Sequence, residues 1–457
     1  MNLHIIILAA GKGTRMRSKL PKVLHKLADK ALVEHVHETA KKLNPASINI
    51  VYGHGGESVP QTLNNLDANW IEQTEQLGTG HAVEQALKEI KEEGTILILY
   101  GDVPLITEST LSALTNVYLS KQNAIGLLTA RLNNPKGYGR IVRDEKGVVQ
   151  RIVEQKDASD AEQRINEINT GILCADSTNL RKWIDNLENN NAQGEFYLTD
   201  IIEMAVSEGG VVATHTSHNI WEIEGVNNKL QLADLERQHQ LNIANKLMES
   251  GVCLRDPYRI DVRGNLKTGM DVLIDVNCIF EGEVQLGDDV NVGANSLIIN
   301  SIIANNVSIK PNSVIENSVI GSNCEIGPFA RIRPDTKLAD NVKVGNFVEI
   351  KKALIESNSK VNHLSYIGDT HMGKNVNVGA GTITCNYDGA NKHLTSIGDD
   401  VFIGSDSQLV APVSVGDGAT IGAGSTITKD VPASELTLSR SKQNTINGWT
   451  RPSKKKK

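Results

Sequence analysis

From Asp271 onwards the sequence keeps a period of six, and very few folds can use one. Aliphatic residues recur at Leu286, Val292 and Ile298 and run on through Ile320, Ile326, Ile332, Leu338, Val344 and Ile350. They resume at Val361 and Ile367, and return at Ile397, Ile403, Leu409, Val415, Ile421 and Ile427. Glycine often follows at once, as in Ile326-Gly327, Ile367-Gly368, Ile403-Gly404 and Ile421-Gly422. A helix repeats every ~3.6 residues and a strand alternates in twos, so neither sustains this spacing. The period predicts a β-helical solenoid, with one aliphatic residue per hexad pointing into the axis and small residues permitting the turn at each corner.

The period breaks at Thr384 to Ser396, TCNYDGANKHLTS, which reads as an extruded loop. Long loops off a rigid scaffold are binding elements or unstructured insertions. Just upstream stand Arg333, Glu349, Lys351, His363, Tyr366 and Asn377. A hexad coil has no structural need for such residues together. Taken alone, His363 fits a surface histidine; in this company it reads as a general base.

The N-terminal half follows another rule. Strand-like runs at Ile48–Tyr52 and Ile96–Tyr100 alternate with helical spacing at Leu32–Leu43 and His81–Ile90. This predicts an α/β domain, a mostly parallel sheet with helices on both faces. Its first apolar run, Ile5 to Leu8, leads into LAAGKGTRMRSKLPK, Leu8 to Lys22. Gly11 and Gly13 permit positive φ and close approach, and Lys12, Arg15, Arg17, Lys19 and Lys22 gather positive charge. Backbone N–H groups backed by cations suit a polyphosphate. A tight turn with a solvated basic face would also satisfy the glycine pair, and the spacing is neither a P-loop nor G-x-G-x-x-G. Tyr100-Gly101-Asp102 closes a second strand on the same edge, where ligands of such sheets bind. Asp102 there either holds Mg²⁺ on triphosphate oxygens or caps the next helix. Lys229 to Glu249 reads as one polar-faced helix at a domain boundary, with His239 an exposed helix residue. The expected division is a first domain over 1–227, a linker helix over 228–250 and a solenoid over 251–457.

A net charge of −7 gives no nucleic-acid footprint. Five scattered cysteines without Cys-x-x-Cys pairing favour reduced thiols over a disulfide framework or a zinc site. The N-terminus lacks the pattern of a signal peptide and no apolar run is long enough to span a bilayer. The expectation is a soluble cytoplasmic protein, with Lys454 to Lys457 a solvated tail.

The string LAAGKGTRM followed by LPKVL resembles the signature of sugar-1-phosphate nucleotidylyltransferases, which join a nucleoside triphosphate to a sugar phosphate and release pyrophosphate. Most of that family carry proline where Ala31 stands, a departure expected to matter little. Gln73 and Gln76 to Gly80 resemble its uracil-reading stretch. Gly137 to Arg140, Ile152 to Glu154 and Ile168 to Gly171 resemble its sugar pocket, and Gly225 to Asn227 its second metal ligand. The resemblance implies a nucleotide-sugar site of Leu8, Ala9, Ala10, Gly11, Lys22, Gln73, Gly78, Thr79, Tyr100, Gly101, Asp102, Gly139, Glu154, Asn169 and Asn227. Asp102 and Asn227 would hold Mg²⁺, and Arg15 and Lys22 would stabilise charge in the reaction.

The second half resembles the left-handed parallel β-helix of hexapeptide acyltransferases, three hexads per coil. Over nearly the whole chain, the two halves resemble the bacterial bifunctional N-acetylglucosamine-1-phosphate uridylyltransferase/glucosamine-1-phosphate acetyltransferase family. That implies a Rossmann-like first domain, acetyl-CoA and UTP as co-substrates, glucosamine-1-phosphate and N-acetylglucosamine-1-phosphate as acceptors, and a homotrimer with shared acetyltransfer sites. Arg333, Lys351, Tyr366, Asn377 and Lys392 would surround the amino-sugar phosphate, with His363 the base and Glu349 its orienter. Ala380 would offer its N–H to the oxyanion. Asn386, Tyr387, Ser405, Ala423 and Arg440 would line the acetyl-CoA channel. Two rival readings are a nucleotidylyltransferase whose solenoid only trimerises it or binds an effector, and a non-enzymatic assembly protein.

Overall fold

The structure is a computed structural model describing residues 2–120 and 123–454. Lys455 to Lys457, most of the basic tail, lie outside the described residues. The chain forms two compact units, residues 1–239 and 240–457.

The first unit is built on strands β1 (Leu3–Leu8), β2 (Ser47–Tyr52), β3 (Asn69–Glu72), β4 (Thr95–Tyr100), β5 (Ile125–Arg131), β6 (Arg140–Arg143), β7 (Val149–Val153), β8 (Glu167–Asp176) and β9 (Val212–Ser217). Their order is β9-β5-β8-β4-β1-β2-β3, with the β6–β7 hairpin attached through β6 to β8. Pairing is parallel at β1–β2, β1–β4, β2–β3 and β5–β9, while β8 runs antiparallel to both β4 and β5. Ile5, Ile6 and Ile7 are fully buried because helices cover both faces, as a continuous apolar run requires. The register sets Leu8 beside Tyr100, so the glycine-rich loop and Gly101-Asp102 leave the sheet at one carboxyl edge. Helix α1 (Leu32–Lys41) starts where the resemblance would put proline. Here the Ala31 N–H donates to Glu34 Oε2 at 2.7 Å, a bond that proline could not make.

The second unit is the expected β-helix. Most coils advance by 17 or 18 residues, as Leu273 pairs with Asn291 and Asn291 with Ser308, all parallel, while the loop lengthens the step from Asn377 to Phe402. One face is an eleven-stranded ladder; the other two merge where strands such as Cys278–Leu286 and Glu349–Ile355 continue round a corner. The hexad aliphatics Val292, Ile298, Ile326, Ile350, Ile367 and Ile403 fill one continuous core at no measurable exposure. At the corners the expected small residues let coils approach, since a Cβ on Gly404 would stand 2.4 Å from the Ala423 nitrogen, and the corners have a second device. They are held by residues at positive φ, chiefly Asn and Asp: Asn277, Asn295, Asn312, Asn323, Asn341 and Asn358 among them. Asparagine tolerates the left-handed region, and here it also stacks: Asn277 Nδ2 donates to Asn295 Oδ1 at 2.9 Å and Asn306 Nδ2 to Asn323 Oδ1 at 2.7 Å. Among the described residues no helix is long and apolar enough to cross a membrane.

The boundary helix runs Lys229–Glu249, as read. Leu235 lies in the first unit's core with Met16, Leu27 and Val226, whereas Ala244 and Leu247 join the solenoid core. His239 departs from its expected exposure: it is half-buried, edge-on to His35 with ring centres 5.3 Å apart.

Two candidate active sites

A cavity of about 430 Å³ opens at the carboxyl ends of β1 and β4. Its wall includes Leu8, Ala9, Ala10, Gly11, Lys22, Gln73, Gly78, Thr79, Tyr100 and Asp102, ten residues expected from the sequence, with Glu195 as an addition. Gly13 sits at φ 57°, and a Cβ there would stand 2.7 Å from Lys22 Cβ, so only glycine lets the loop close over Lys22. The Lys22 ammonium bonds Asp102 Oδ2 and lies 3.4 Å from Asn227 Oδ1, which also accepts from Arg15 Nη2 at 2.8 Å. Four residues separated by up to 212 positions therefore meet at one point. The Val226 N–H donates to the Asp102 carbonyl at 2.9 Å and fixes that approach. Asp102 is thus no helix cap: Thr107 caps the following helix, Glu108–Leu119. Two oxygen donors already sharing one cation fit a hard divalent ion that completes its shell from phosphate oxygens. Among the described residues no cluster of three or more His, Cys, Asp or Glu offers a protein-only metal site.

The residues that the resemblance gives to the sugar also converge. The Asn169 N–H donates to the Gly139 carbonyl at 2.9 Å, and Gly139 packs so tightly on Glu154 that a Cβ would stand 3.2 Å from its Oε1. Gly171, at φ 83°, gives the Tyr100 ring its place. Burial raises the Glu154 carboxyl above the usual range, opposed by a Thr199 hydroxyl 3.2 Å away. Burial, with Glu154 next, pushes Asp200 up to about 6. Glu195, Thr199 and Asp200 come from the EFYLTD stretch, which carries no spacing signal a sequence reading could use.

On the solenoid, successive coils turn distant residues into rows. Asn346 pairs in register with His363; Gly381 N–H bonds the His363 carbonyl at 3.2 Å. Asp406 N–H bonds the Ala380 carbonyl at 2.7 Å, Gly424 N–H the Ser405 carbonyl at 2.8 Å, and Arg440 Nη1 the Ala423 carbonyl at 2.8 Å. The expected base and channel residues thus follow one corner in the order His363, Ala380, Ser405, Ala423, Arg440. The Ala380 N–H makes no hydrogen bond among the described residues, which leaves it open to an oxyanion. His363 Nδ1 lies 2.9 Å from Asn346 Oδ1; a carbonyl oxygen there requires Nδ1–H and leaves the Nε2 lone pair outward.

This corrects the part given to Glu349. Its Oε1 accepts from Arg333 Nη1 at 2.7 Å, and the side chain bonded to His363 is Asn346. Asn346 escaped the sequence reading because asparagine next to a solenoid corner reads as turn chemistry. Round the corner, Glu349, Tyr366 and Ile383 stack in register. The Lys392 ammonium beside Lys351 holds the latter below its ordinary pKa, with Arg333 adding to the effect. The loop that interrupts the period is folded: Asp388 accepts from the Ala390 and Asn391 N–H groups at 2.8 and 2.7 Å and faces His393 Nε2 at 2.7 Å. Asn386 anchors it, donating to Asp369 at 2.6 Å and standing 3.4 Å from the Tyr366 hydroxyl, while Tyr387 is exposed. Asn377 is not brought to this cluster. It lies on the eleven-stranded face, in a polar groove with Lys343 and Lys360.

A phosphate-binding α/β unit followed by a hexapeptide solenoid with an oriented histidine defines a transferase with two chemistries, nucleotidyl transfer and acyl transfer. Comparison with known proteins agrees. Residues 5–154 match the MobA-like NTP transferase domain, 262–352 the GMPPB C-terminal domain, and 394–429 the bacterial transferase hexapeptide repeats. The chain is 58% identical to the bifunctional protein GlmU of Nitrosospira multiformis, covering all of this chain and 99% of that one. It is 57% identical to that of Thiobacillus denitrificans, with the same coverage, and 55% identical to that of Janthinobacterium sp., with full coverage of both. The chain belongs to the bifunctional GlmU family.

Proposed function

We propose that this enzyme makes UDP-N-acetylglucosamine in two steps. In the solenoid site, His363 Nε2 takes a proton from the 2-amino group of glucosamine-1-phosphate as its nitrogen attacks the acetyl-CoA carbonyl. The Ala380 N–H faces the oxyanion, the carbon–sulfur bond breaks, and CoA leaves with a proton. Arg333, Lys351 and Lys392 hold the sugar phosphate, with Tyr366 beside them, and Ser405, Ala423, Arg440, Asn386 and Tyr387 run along the acetyl-CoA channel.

In the first unit, a phosphate oxygen of N-acetylglucosamine-1-phosphate attacks the α-phosphorus of UTP, and the α–β bridging bond breaks to release pyrophosphate. Leu8 to Gly11 offer backbone to the phosphates, Arg15 and Lys22 meet developing charge, and Gln73, Gly78 and Thr79 face the base. Gly139, Glu154 and Asn169 hold the sugar. Asp102 and Asn227 would hold Mg²⁺, which when bound neutralises phosphate oxygens. Positioning and electrostatics carry this step, with no protein nucleophile.

We place the functional boundaries at 1–227, 228–250 and 251–457 and the protein in the cytoplasm, acting on small molecules and not on nucleic acid. It works as a homotrimer. Phe329, Phe347 and Leu364 follow Asn277, Asn295 and Asn312 up the corner beside His363; they are 50%, 55% and 64% exposed and hold φ of 54°, 55° and 49°. Bulky residues rarely keep that strained conformation, and the two phenyl rings stack 5.3 Å apart. A neighbouring copy would cover this strip and bring an Asn377 face up to the Arg333 face, completing a site that one chain leaves divided.

The observation that carries the reading is the crowding of the Lys351 and Lys392 ammonium groups, with Arg333 near and Asp369 the carboxylate that acts on Lys351, on a solenoid whose His363 is already oriented, for which a scaffold has no use. Its test supplies glucosamine-1-phosphate, acetyl-CoA, UTP and Mg²⁺, omits each in turn, and follows CoA and pyrophosphate. CoA release should need only the first two, and pyrophosphate release all four. Pyrophosphate from glucosamine-1-phosphate and UTP alone, without CoA, would favour the scaffold reading.

A further inference from the structure

The Gln73 side chain is 3% exposed at the back of the nucleotide cavity, and its environment leaves its amide only one orientation. One terminal amide atom lies 3.1 Å from the Gly78 carbonyl and 3.0 Å from His81 Nδ1. A carbonyl can only accept, so that atom is the NH₂ group. The same NH₂ faces His81 Nδ1, and two donors cannot meet there. His81 must therefore present a lone pair at Nδ1 and carry its proton on Nε2.

That tautomer is itself held. Gln85 Nε2 stands 2.9 Å from His81 Nε2, one helical turn further along Thr79–Glu89, a donor set against a donor once Nδ1 holds the lone pair, so the Gln85 amide must turn over. Only its oxygen can accept from Nε2–H. This orientation gives up a contact of Gln85 with exposed Lys88 at 3.4 Å, and Lys88 keeps Glu84 at 2.7 Å. The buried bond of Gln73 to Gly78 outweighs the exposed one. The chain Gln85, His81, Gln73, Gly78 then has a single consistent direction.

Its consequence falls on the ligand. With both N–H bonds of Gln73 engaged, Gln73 Oε1, which has no partner among the described residues, is the group it offers to the cavity. Gln76 Nε2 is likewise tied to the Gln73 carbonyl at 3.0 Å. The Gly78 and Thr79 N–H groups make no hydrogen bond among the described residues, so the wall presents donors beside an acceptor. A base with an N–H next to a carbonyl matches that pattern. Cytosine, whose N3 bears a lone pair, sets acceptor against acceptor.

We infer that His81 is a positioning residue for nucleotide choice: its Nδ1 lone pair, held by Gln85, locks the Gln73 amide so that the enzyme takes a base with an N3–H and rejects cytosine. This rests on the nucleotidyl-transfer reading above. Without His81 only Gly78 orients the amide, which can then rotate and offer its NH₂.

The test measures pyrophosphate release from UTP, CTP and 5-methyluridine triphosphate with N-acetylglucosamine-1-phosphate. It compares the full-length wild type with His81→Ala and Gln85→Leu. The kcat/KM preference for UTP over CTP should fall about 10-fold in His81→Ala and about 3-fold in Gln85→Leu, the scale of one hydrogen-bonding choice. Preference between UTP and 5-methyluridine triphosphate, which both carry N3–H, should stay unchanged. An unaltered UTP-to-CTP ratio in a His81→Ala enzyme with wild-type melting overturns the lock, as does an equal drift in both ratios. Should His81→Ala fail to fold, an unaltered ratio in Gln85→Leu overturns it instead. A wild type that does not prefer UTP to CTP would overturn the uridylyl reading itself, a result separable from the others.

Discussion

Replacing Gly13 with alanine tests the first site through its geometry without touching a group that meets substrate. The new Cβ would stand 2.7 Å from Lys22 Cβ. Carbon atoms need ~3.5–4.0 Å, so one of the two segments must give by roughly 1 Å. Gly13 cannot give freely, because its φ of 57° already costs alanine about 1–2 kcal/mol. The displacement falls on Lys22, whose ammonium joins Asp102 to Asn227. A shift of about 1 Å in a positioning group is worth up to ~10²-fold in rate. Pyrophosphate release in Gly13→Ala should therefore fall ~30- to 100-fold, while CoA release stays within about twofold, since the solenoid site uses none of these residues. Both are read from one preparation, with thiol titration for CoA and a phosphate-coupled assay for pyrophosphate. Pyrophosphate release at the wild-type rate in a folded variant would refute the link from Gly13 through Lys22 to the reaction.

Three other perturbations reach different parts of the account. Asn346→Ala should lower acetyltransfer about 10-fold by freeing the His363 tautomer, and Asn346→Asp should keep more of it; equal loss in both would remove the orienting role. Phe329→Asp with Phe347→Asp should yield monomers in sedimentation and abolish acetyltransfer while sparing pyrophosphate release; an intact trimer would refute the covered strip. Asp200→Asn tests the acidic pocket: the native carboxyl is raised from 3.8 to about 6, so ionising it costs the fold. The stability it contributes is full below the ordinary value and is lost as pH rises through about 6. Asn should thus raise the melting temperature at about pH 7.5 and leave it unchanged near pH 4; a gain at both would refute the assignment.

What the sequence made legible follows from what constrains it. Ile326, Ile350 and Ile403 must point inward once per hexad, so the solenoid was readable residue by residue. Leu8 and Tyr100 mark strand ends in a parallel sheet, so Gly11 and Asp102 could be assigned to one edge from the sequence. The small residues at the corners were legible; the left-handed positions were not, because they are met by Asn277 or Asn295 through a side-chain property that hydrophobic periodicity does not report. The resemblance gave Glu349 to His363, whereas the fold stacks by coil length and puts Asn346 there. Glu195 and His81 act through tertiary neighbours, and nothing in their spacing marks them.

One chain carries two independent transferase sites. Asp102→Ala and His363→Ala, each confirmed by melting and sedimentation to match wild type, separate them most directly. Asp102→Ala should abolish pyrophosphate release and leave CoA release from glucosamine-1-phosphate near normal. His363→Ala should lose acetyltransfer by roughly 10²–10⁴-fold yet still convert supplied N-acetylglucosamine-1-phosphate and UTP at nearly the wild-type rate. Loss of both activities in either folded variant, or of neither, would contradict the account.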